Sequence, residues 1–282
     1  MTLRVTPSGR PCGARVTGVD LRDLDGDAVA DIRAAWLTHR VLAFVDQQLT
    51  DDDLERFARR FGPPGDDPFF EPIDGHPHIA AIHRRADETS PVFAEVWHSD
   101  WSFQAQPPDG TCLYAKIIPP VGGDTHFVDQ QSALAAMPTD LRRRIDGVVA
   151  IHSARGGYAP DGRYGSQAEG ENRAMRIITD DRAYATRTHP LVRTHPETGA
   201  ETLFSTLGYI IGIEGMADDD ALALLGEVHA WQTRPEFQYH HRWEPDMLVM
   251  WDNRCVLHKA TGGYDGHERL LHRITIGQGI AA

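Results

Sequence analysis

The sequence predicts a mainly β protein, a sandwich or barrel of short strands with flanking helices. Three observations lead there. Short apolar runs such as "VLAF", "GTCLYAK" and "LVMW" recur between Gly- and Pro-containing turns. Only three segments carry the spacing of an amphipathic helix. No internal repeat and no low-complexity linker divides the 282 residues, so they read as one domain, long enough to bury a sizeable core.

The elements follow in order. "GARVTGVDL" alternates as a strand does. "DGDAVADIRAAWLTHR" (25–40) has acidic N-terminal signals and apolar residues at 29, 32, 36 and 37, the pattern of a helix. "VLAFVD" follows as a buried strand. "TDDDLERFARRFG" (50–62) is a second helix, capped by Thr50, acidic in its first turn and ended by Gly62. "HIAAIHR", "GTCLYAKIIPP", "THFVD" and "VVAIHSA" are strands. "LVRTHPETGAETLFS" is a hairpin with Gly199 where a positive φ is needed. "DDDALALLGEVHAWQ" (218–232) is a third helix, capped by acids. "DMLVMWDNRCVLHKA" and "HERLLHRITIGQG" close the chain as strands. Residues 155–185, rich in Gly, Arg and Tyr, have no period; they are expected to be a mobile insertion, the usual place of a lid.

Composition removes several functions. The net charge is −13, from 41 acids against 28 bases, where a nucleic-acid binder presents a basic face. No apolar run approaches the roughly 18 residues of a membrane helix. The N-terminus lacks a signal-peptide core, and three scattered cysteines without a CxxC read as reduced thiols. The expectation is a cytoplasmic protein with neither nucleic acid nor membrane as partner; a homo-oligomer is left open.

The chemistry centres on "EVWHSDWSFQ" (95–104). A His-x-acid pair is cheap: with 15 His and 41 acids, chance supplies about two, and there are two, His98-Ser99-Asp100 and His195-Pro196-Glu197. The second lies in the hairpin turn and is read as a decoy. For the first, a strand would place His98 and Asp100 on one face and turn Trp97 and Trp101 the other way. A distal histidine, His258, completes two imidazoles and a carboxylate, the facial donor set that holds Fe(II) with positions open to co-substrate and oxygen. Arg269 and Arg273, four apart in "ERLLHR", would face one side of a strand and present two guanidiniums to carboxylate-like groups.

Taken together, "WHSDWSF…GGDT…WDNRCVLHKA…HERLLHR" resembles the taurine dioxygenase / 2,4-dichlorophenoxyacetate dioxygenase (TauD/TfdA) family, from "GARVTGVDL" to "HRITIG". The resemblance implies one domain over 1–282 with a double-stranded β-helix (jelly-roll, cupin-like) core and flanking helices. It implies Fe(II), 2-oxoglutarate and O2 as cofactor and co-substrates. His98, Asp100 and His258 match the iron ligands. Thr125 and Arg269 match the groups on the far carboxylate of 2-oxoglutarate, and Arg273 the arginine that holds the acidic group of the prime substrate. Trp251 and Asn253 match the frame around the last ligand strand. Asp100 fills the position that a halogenating relative leaves to chloride. The implied reaction oxidises, by hydroxylation, an unactivated C–H of a small anionic substrate, with release of succinate and CO2. Desaturation or oxidative decarboxylation with the same cofactors, and a non-catalytic jelly-roll binding protein, are the alternatives. Taurine enzymes carry His, Tyr and Asn where this chain has Asp67, Phe70 and Ala94. Phe70 and Ala94, with Trp101 as a further wall residue, make the pocket less polar, and Asp67 would be unfavourable near an anion unless it pairs with Arg273 or faces away; a carboxylate, sulfonate or sulfate ester with an apolar body is expected rather than taurine.

Overall fold

A computed structural model describes residues 3–168 and 170–279. Its largest sheet runs Arg4–Pro7, Ala14–Thr17, Val41–Phe44, Leu248–Asp252, Gly110–Ile117, Arg269–Ile276, His76–Arg84, Pro72–Ile73. All neighbours are antiparallel except Ala14–Thr17 beside Val41–Phe44. A second sheet, Gln238–His241, Thr125–Asp129, Val256–Ala260, packs against it, closing the double-stranded β-helix. Ile210–Ile213, Val149–Ser153 and Thr186–Pro190 form a third sheet, and Val192–Thr194 with Glu201–Leu203 a hairpin whose turn puts Gly199 at φ 71°.

Burial on both faces explains why the central strands are apolar throughout. In Leu248–Asp252, Leu248 and Met250 point toward the helices while Val249 and Trp251 point between the sheets. Leu42 and Phe44 alternate with Val41 and Ala43 in the same way. A strand covered on one side only would show polar residues at every second position. The covering helices are Gly26–His39, which buries Ile32 and Trp36, and Asp51–Arg59, which buries Leu54, Phe57 and Ala58. Asp25 caps the first; Thr50 and Asp53 form a capping box on the second.

Three expectations need correction. The second helix stops at Arg59, before Gly62. Gly62 serves a close approach instead: a Cβ there would lie 2.8 Å from Ile276 Cγ2 and 2.9 Å from the Gly277 carbonyl oxygen. Helix Asp218–Gln232 has the expected limits but no side-chain cap, since Ala217 holds that position; its acids act through the first-turn dipole. The third concerns the opening motif. His98 and Asp100 do not lie on a regular strand. His98 makes one isolated bridge, and positive φ at Ala94 (63°) and Trp101 (46°) bends the chain on either side of it. Strands Thr186–Pro190, Ile210–Ile213 and Gln238–His241, and the short helices Gln130–Ala135 and Thr139–Arg144, had no clear sequence signal.

Residues 155–185 hold one helical turn, Arg155–Tyr158, and the 3-10 turns Ser166–Ala168 and Asp181–Tyr184. Tyr158, Ala159, Met175 and Ala183 of this segment join Phe69, Phe70, Trp101 and Tyr209 in one aromatic-rich cluster. No helix among the described residues is long and apolar enough to cross a membrane. Truncating Phe57, which is buried against Phe44 and Phe61, should cost about 3–5 kcal/mol, read as a lower midpoint in urea.

Candidate active site

The two histidines are brought together by backbone. His258, on strand Val256–Ala260, donates its N–H to the His98 carbonyl oxygen (2.8 Å), and the His98 N–H donates to the His258 carbonyl oxygen (3.0 Å). The Ala260 N–H donates to the Ala94 carbonyl oxygen (2.9 Å), so the bent segment is tied to the strand at two levels. The imidazole centroids stand 4.1 Å apart. Asp100 Oδ1 lies 3.7 Å from His98 Nε2 and 3.8 Å from His258 Nε2. One donor atom from each residue falls within 4.8 Å of the others.

Electrostatics prepare these donors. The Val96 carbonyl oxygen accepts from His98 Nδ1 (2.9 Å), which leaves Nε2 with its lone pair. Burial, and then His98, push His258 down to about 3, so its ring is neutral. Burial also lowers His98. Burial would raise Asp100, but Arg273, His258, His98 and the Thr111 hydroxyl together hold it below the usual carboxylate range. Two neutral imidazoles and one carboxylate are the donor set that suits Fe(II).

Behind Asp100 runs a hydrogen-bond chain that the sequence did not reveal. Thr111 Oγ1 donates to Asp100 Oδ2 (2.6 Å). Asn253 Nδ2 donates to Thr111 Oγ1 (2.8 Å), and Trp251 Nε1 donates to Asn253 Oδ1 (2.9 Å). The chain points one carboxylate oxygen away from the histidines and leaves Oδ1 beside them. Trp251 also packs on the His258 ring, 4.6 Å between centroids. Trp251 and Asn253 thus orient Asp100 and His258 as well as packing.

Arg269 and Arg273 do share a face of strand Arg269–Ile276, and both line the cavity that contains the triad. Their surroundings differ. Arg269 is buried, and its Nε finds no hydrogen-bond partner among the described residues. Burial lowers its pKa, with Tyr264 and then Asp124 opposing. Its guanidinium lies 5.9 Å from the rings of Trp243 and Tyr264. Thr125 lines the same cavity; its Oγ1 accepts from Trp243 Nε1 (3.0 Å), which leaves the hydroxyl proton free to donate. Gly122 makes this corner possible. It sits at φ 65°, and a Cβ there would lie 2.5 Å from the Gly263 carbonyl oxygen. A buried cation without an acid, beside a free hydroxyl, is a receptor for a carboxylate.

Arg273 is engaged in part, since its Nη2 makes no hydrogen bond among the described residues. Its Nη1 donates to both oxygens of Asp67 (2.7 and 2.8 Å), and its Nη2 lies 3.1 Å from Asp100 Oδ1. Trp101 Nε1 donates to the same Asp67 carboxylate. Asp67 lies outside the cavity lining, whereas Phe70, Ala94 and Trp101 are part of it. Trp97 and Trp101 do diverge, one into the core under helix Asp218–Gln232 and the other into the aromatic cluster. Tyr158, Arg173, Met175 and Tyr209 complete the wall. Three of these, Tyr158, Arg173 and Met175, come from the segment from 155 to 185, which was expected over the site but without a period marked none of the three individually.

The decoy pair is structural. His195 Nε2 lies 3.0 Å from Asp252 Oδ2, and Glu197 pairs with Arg254 (2.6 Å) and Arg33 (2.8 Å). His195, Asp252 and Cys255 are close enough for a metal, but Arg254 already occupies both Asp252 oxygens at 2.8 and 2.7 Å.

A jelly-roll with a histidine–carboxylate–histidine triad and a buried carboxylate receptor in one cavity defines a non-haem oxygenase of the 2-oxoglutarate-dependent class. A family model described as "Taurine catabolism dioxygenase TauD, TfdA family" matches residues 4–275, and the chain belongs to that family. It is similar to the (S)-phenoxypropionate/alpha-ketoglutarate-dioxygenase of Sphingobium herbicidovorans, 34% identical over 271 residues, covering 91% of this chain and 88% of the relative. It is 32% identical over 267 residues to an alkylsulfatase of Acinetobacter baylyi, covering 94% and 81%. The crystal structure of a taurine dioxygenase from Burkholderia xenovorans superposes with a TM-score of 0.80 at 31% identity, covering 99% and 92%. The protein is an alpha-ketoglutarate (2-oxoglutarate)-dependent dioxygenase that uses Fe(II) and O2.

Replacing Thr111 by Val removes the donor to Asp100 Oδ2 with little change of shape. Fe(II) affinity should fall about 10–100-fold, measured by titration of the metal-free protein, while the fold is retained.

Proposed function

We propose that the protein hydroxylates an unactivated C–H of a small anionic molecule with an apolar body. In this reading His98, Asp100 and His258 hold Fe(II), and Arg269 with the Thr125 hydroxyl takes the far carboxylate of 2-oxoglutarate. The observation that carries it is the buried, acid-free Arg269 in the same cavity as the triad. With metal, 2-oxoglutarate and O2 bound, the group supplies an oxidant that turns C–H into C–OH, with succinate and CO2 as co-products. The chain's own residues do the rest. Thr111 and Asn253 keep Asp100 turned toward the metal position. The strand carrying Arg269 sets how deep the co-substrate sits. Phe70, Trp101 and Tyr158 exclude water from the apolar body.

The substrate class is supported by relatives whose names specify phenoxypropionate and alkyl sulfates, both anions on apolar bodies. Phe70 and Ala94 bring no polar side chain to the wall, which disfavours taurine. Residues 155–185 act as the lid, supported by Tyr158, Arg173 and Met175 reaching the cavity from that segment. We also propose a cytoplasmic location, supported by three cysteines that are all free and buried.

Mixing the protein anaerobically with Fe(II) and 2-oxoglutarate should produce a weak visible charge-transfer band, absent in His98→Ala. A wild-type protein without the band would overturn this reading. Arg269→Gln should weaken 2-oxoglutarate binding by about 30-fold or more, since losing one partner of a buried charge pair costs roughly 2–5 kcal/mol. Titrating the band with 2-oxoglutarate measures it.

A further inference from the structure

Only part of the Arg273 guanidinium is open to a ligand. Phe70 and Trp101 cover its faces, with ring centroids at 5.2 and 5.0 Å. Its Nη1 donates to both oxygens of Asp67 (2.7 and 2.8 Å). Its Nη2 is buried and has no hydrogen-bond partner among the described residues. The acid oxygen beside Nη2, Asp100 Oδ1 at 3.1 Å, is the one that the triad turns toward the metal position. A buried donor without an acceptor costs free energy that a ligand oxygen would recover.

Asp67 holds this arginine from behind the cavity wall. The pair is desolvated, with side chains 5% exposed for Arg273 and 12% for Asp67. Asp67 lines a separate cleft with Pro64, Gly65 and His78, and Phe70 stands between the two spaces as part of both linings. Trp101 closes the arrangement. Its ring covers the guanidinium, while its Nε1 donates to the same Asp67 carboxylate. Acid, indole and guanidinium therefore fix one another, and the direction of Nη2 is set before any ligand arrives.

We propose that Asp67 is a positioning residue for the prime substrate: it holds Nη1 of Arg273, so that the acidic group of the substrate meets Nη2 alone. A free guanidinium would offer an anion two parallel N–H···O bonds. Here the fork is reduced to one nitrogen beside the triad, which holds the acid at one place and so sets which C–H lies over the metal position. Asp67 also opposes a second negative charge nearby, so the arrangement exchanges affinity for position. The ligand class is a monoanion, whether carboxylate, sulfonate or sulfate ester, whose apolar body packs on Phe70, Phe93 and Tyr209. This deepens the dioxygenase reading and rests on it.

The test uses the full chain loaded anaerobically with Fe(II) and 2-oxoglutarate. The probes are (S)-2-phenoxypropionate, its primary amide and hexyl sulfate, each titrated against the visible band. After O2 is admitted, succinate formed per probe consumed measures the coupling. Wild type should bind the two anions more tightly than the amide. Asp67→Asn removes the opposing charge and keeps an oxygen for Nη1; the anions should tighten about fivefold or more, with the amide within about twofold. Asp67→Ala removes that oxygen as well, and succinate per anion consumed should rise about twofold or more above Asp67→Asn. A second arm leaves Asp67 in place. Arg273→Lys offers one amine, which Asp67 takes, so the preference for anions over the amide should vanish; Asp67→Asn in that background should restore it in part. The proposal falls if Asp67→Asn leaves the anions within twofold, if Asp67→Ala couples as well as Asp67→Asn, if Arg273→Lys keeps the wild-type preference, or if an intact wild-type band responds to neither anion. In each of these outcomes the band keeps the dioxygenase reading standing; a missing wild-type band would bring down both.

Discussion

The site depends on a pair of backbone hydrogen bonds, between His98 and His258. They join a bent segment to a strand that lies some 160 residues further along. Side chains alone would leave each imidazole free to turn, and a triad needs its donors held to a fraction of an ångström. The bridge fixes both Cα positions, the Val96 carbonyl fixes the His98 ring, and the Trp251 face fixes the His258 ring. Asp100 then needs only a short turn and one hydroxyl, Thr111, to present Oδ1 to both.

Rigid support for that bridge comes from burial on both sides of the large sheet. Helices cover one face and the smaller sheet covers the other, so the central strands cannot slide by one residue without turning apolar side chains into the wrong layer. The same register places Arg269, Leu271 and Arg273 on the inner face of the last strand and Ile274 and Ile276 toward the helices. The placement of the two guanidiniums in the cavity is thus an outcome of core packing.

Charge inside the cavity is the second organising term. A guanidinium removed from water needs an acid, a ring face or a ligand. Arg273 has two acids and two rings, whereas Arg269 has two rings and no acid partner among the described residues. That asymmetry separates two arginines that share a strand and differ by four positions. It gives them different surroundings: Arg269 faces the cavity without an acid, and Arg273 bridges Asp67 and Asp100.

Much of this was legible in the residue order. The β class and the three helices could be read from period-two and helical patterns, and "HSD", "WDNRCVLH" and "ERLLHR" named residues that the structure brings into one cavity, because each is encoded over a few neighbouring residues. The partners were not legible. Thr111 behind Asp100 and Arg173 in the cavity wall rest on contacts across 11 and, for Arg173 and Pro91, 82 positions, and the residues alone left open whether Asp67 pairs with Arg273, 206 positions away, or faces away. Residue type alone cannot say whether an arginine has met an acid, since that depends on which loops the fold brings within hydrogen-bond reach. The bend at "WHSDW" has the same origin. Its residues favour a strand, yet the chain leaves the ladder after a single bridge because Trp101 must turn into the aromatic cluster while His98 and Asp100 stay at the metal position.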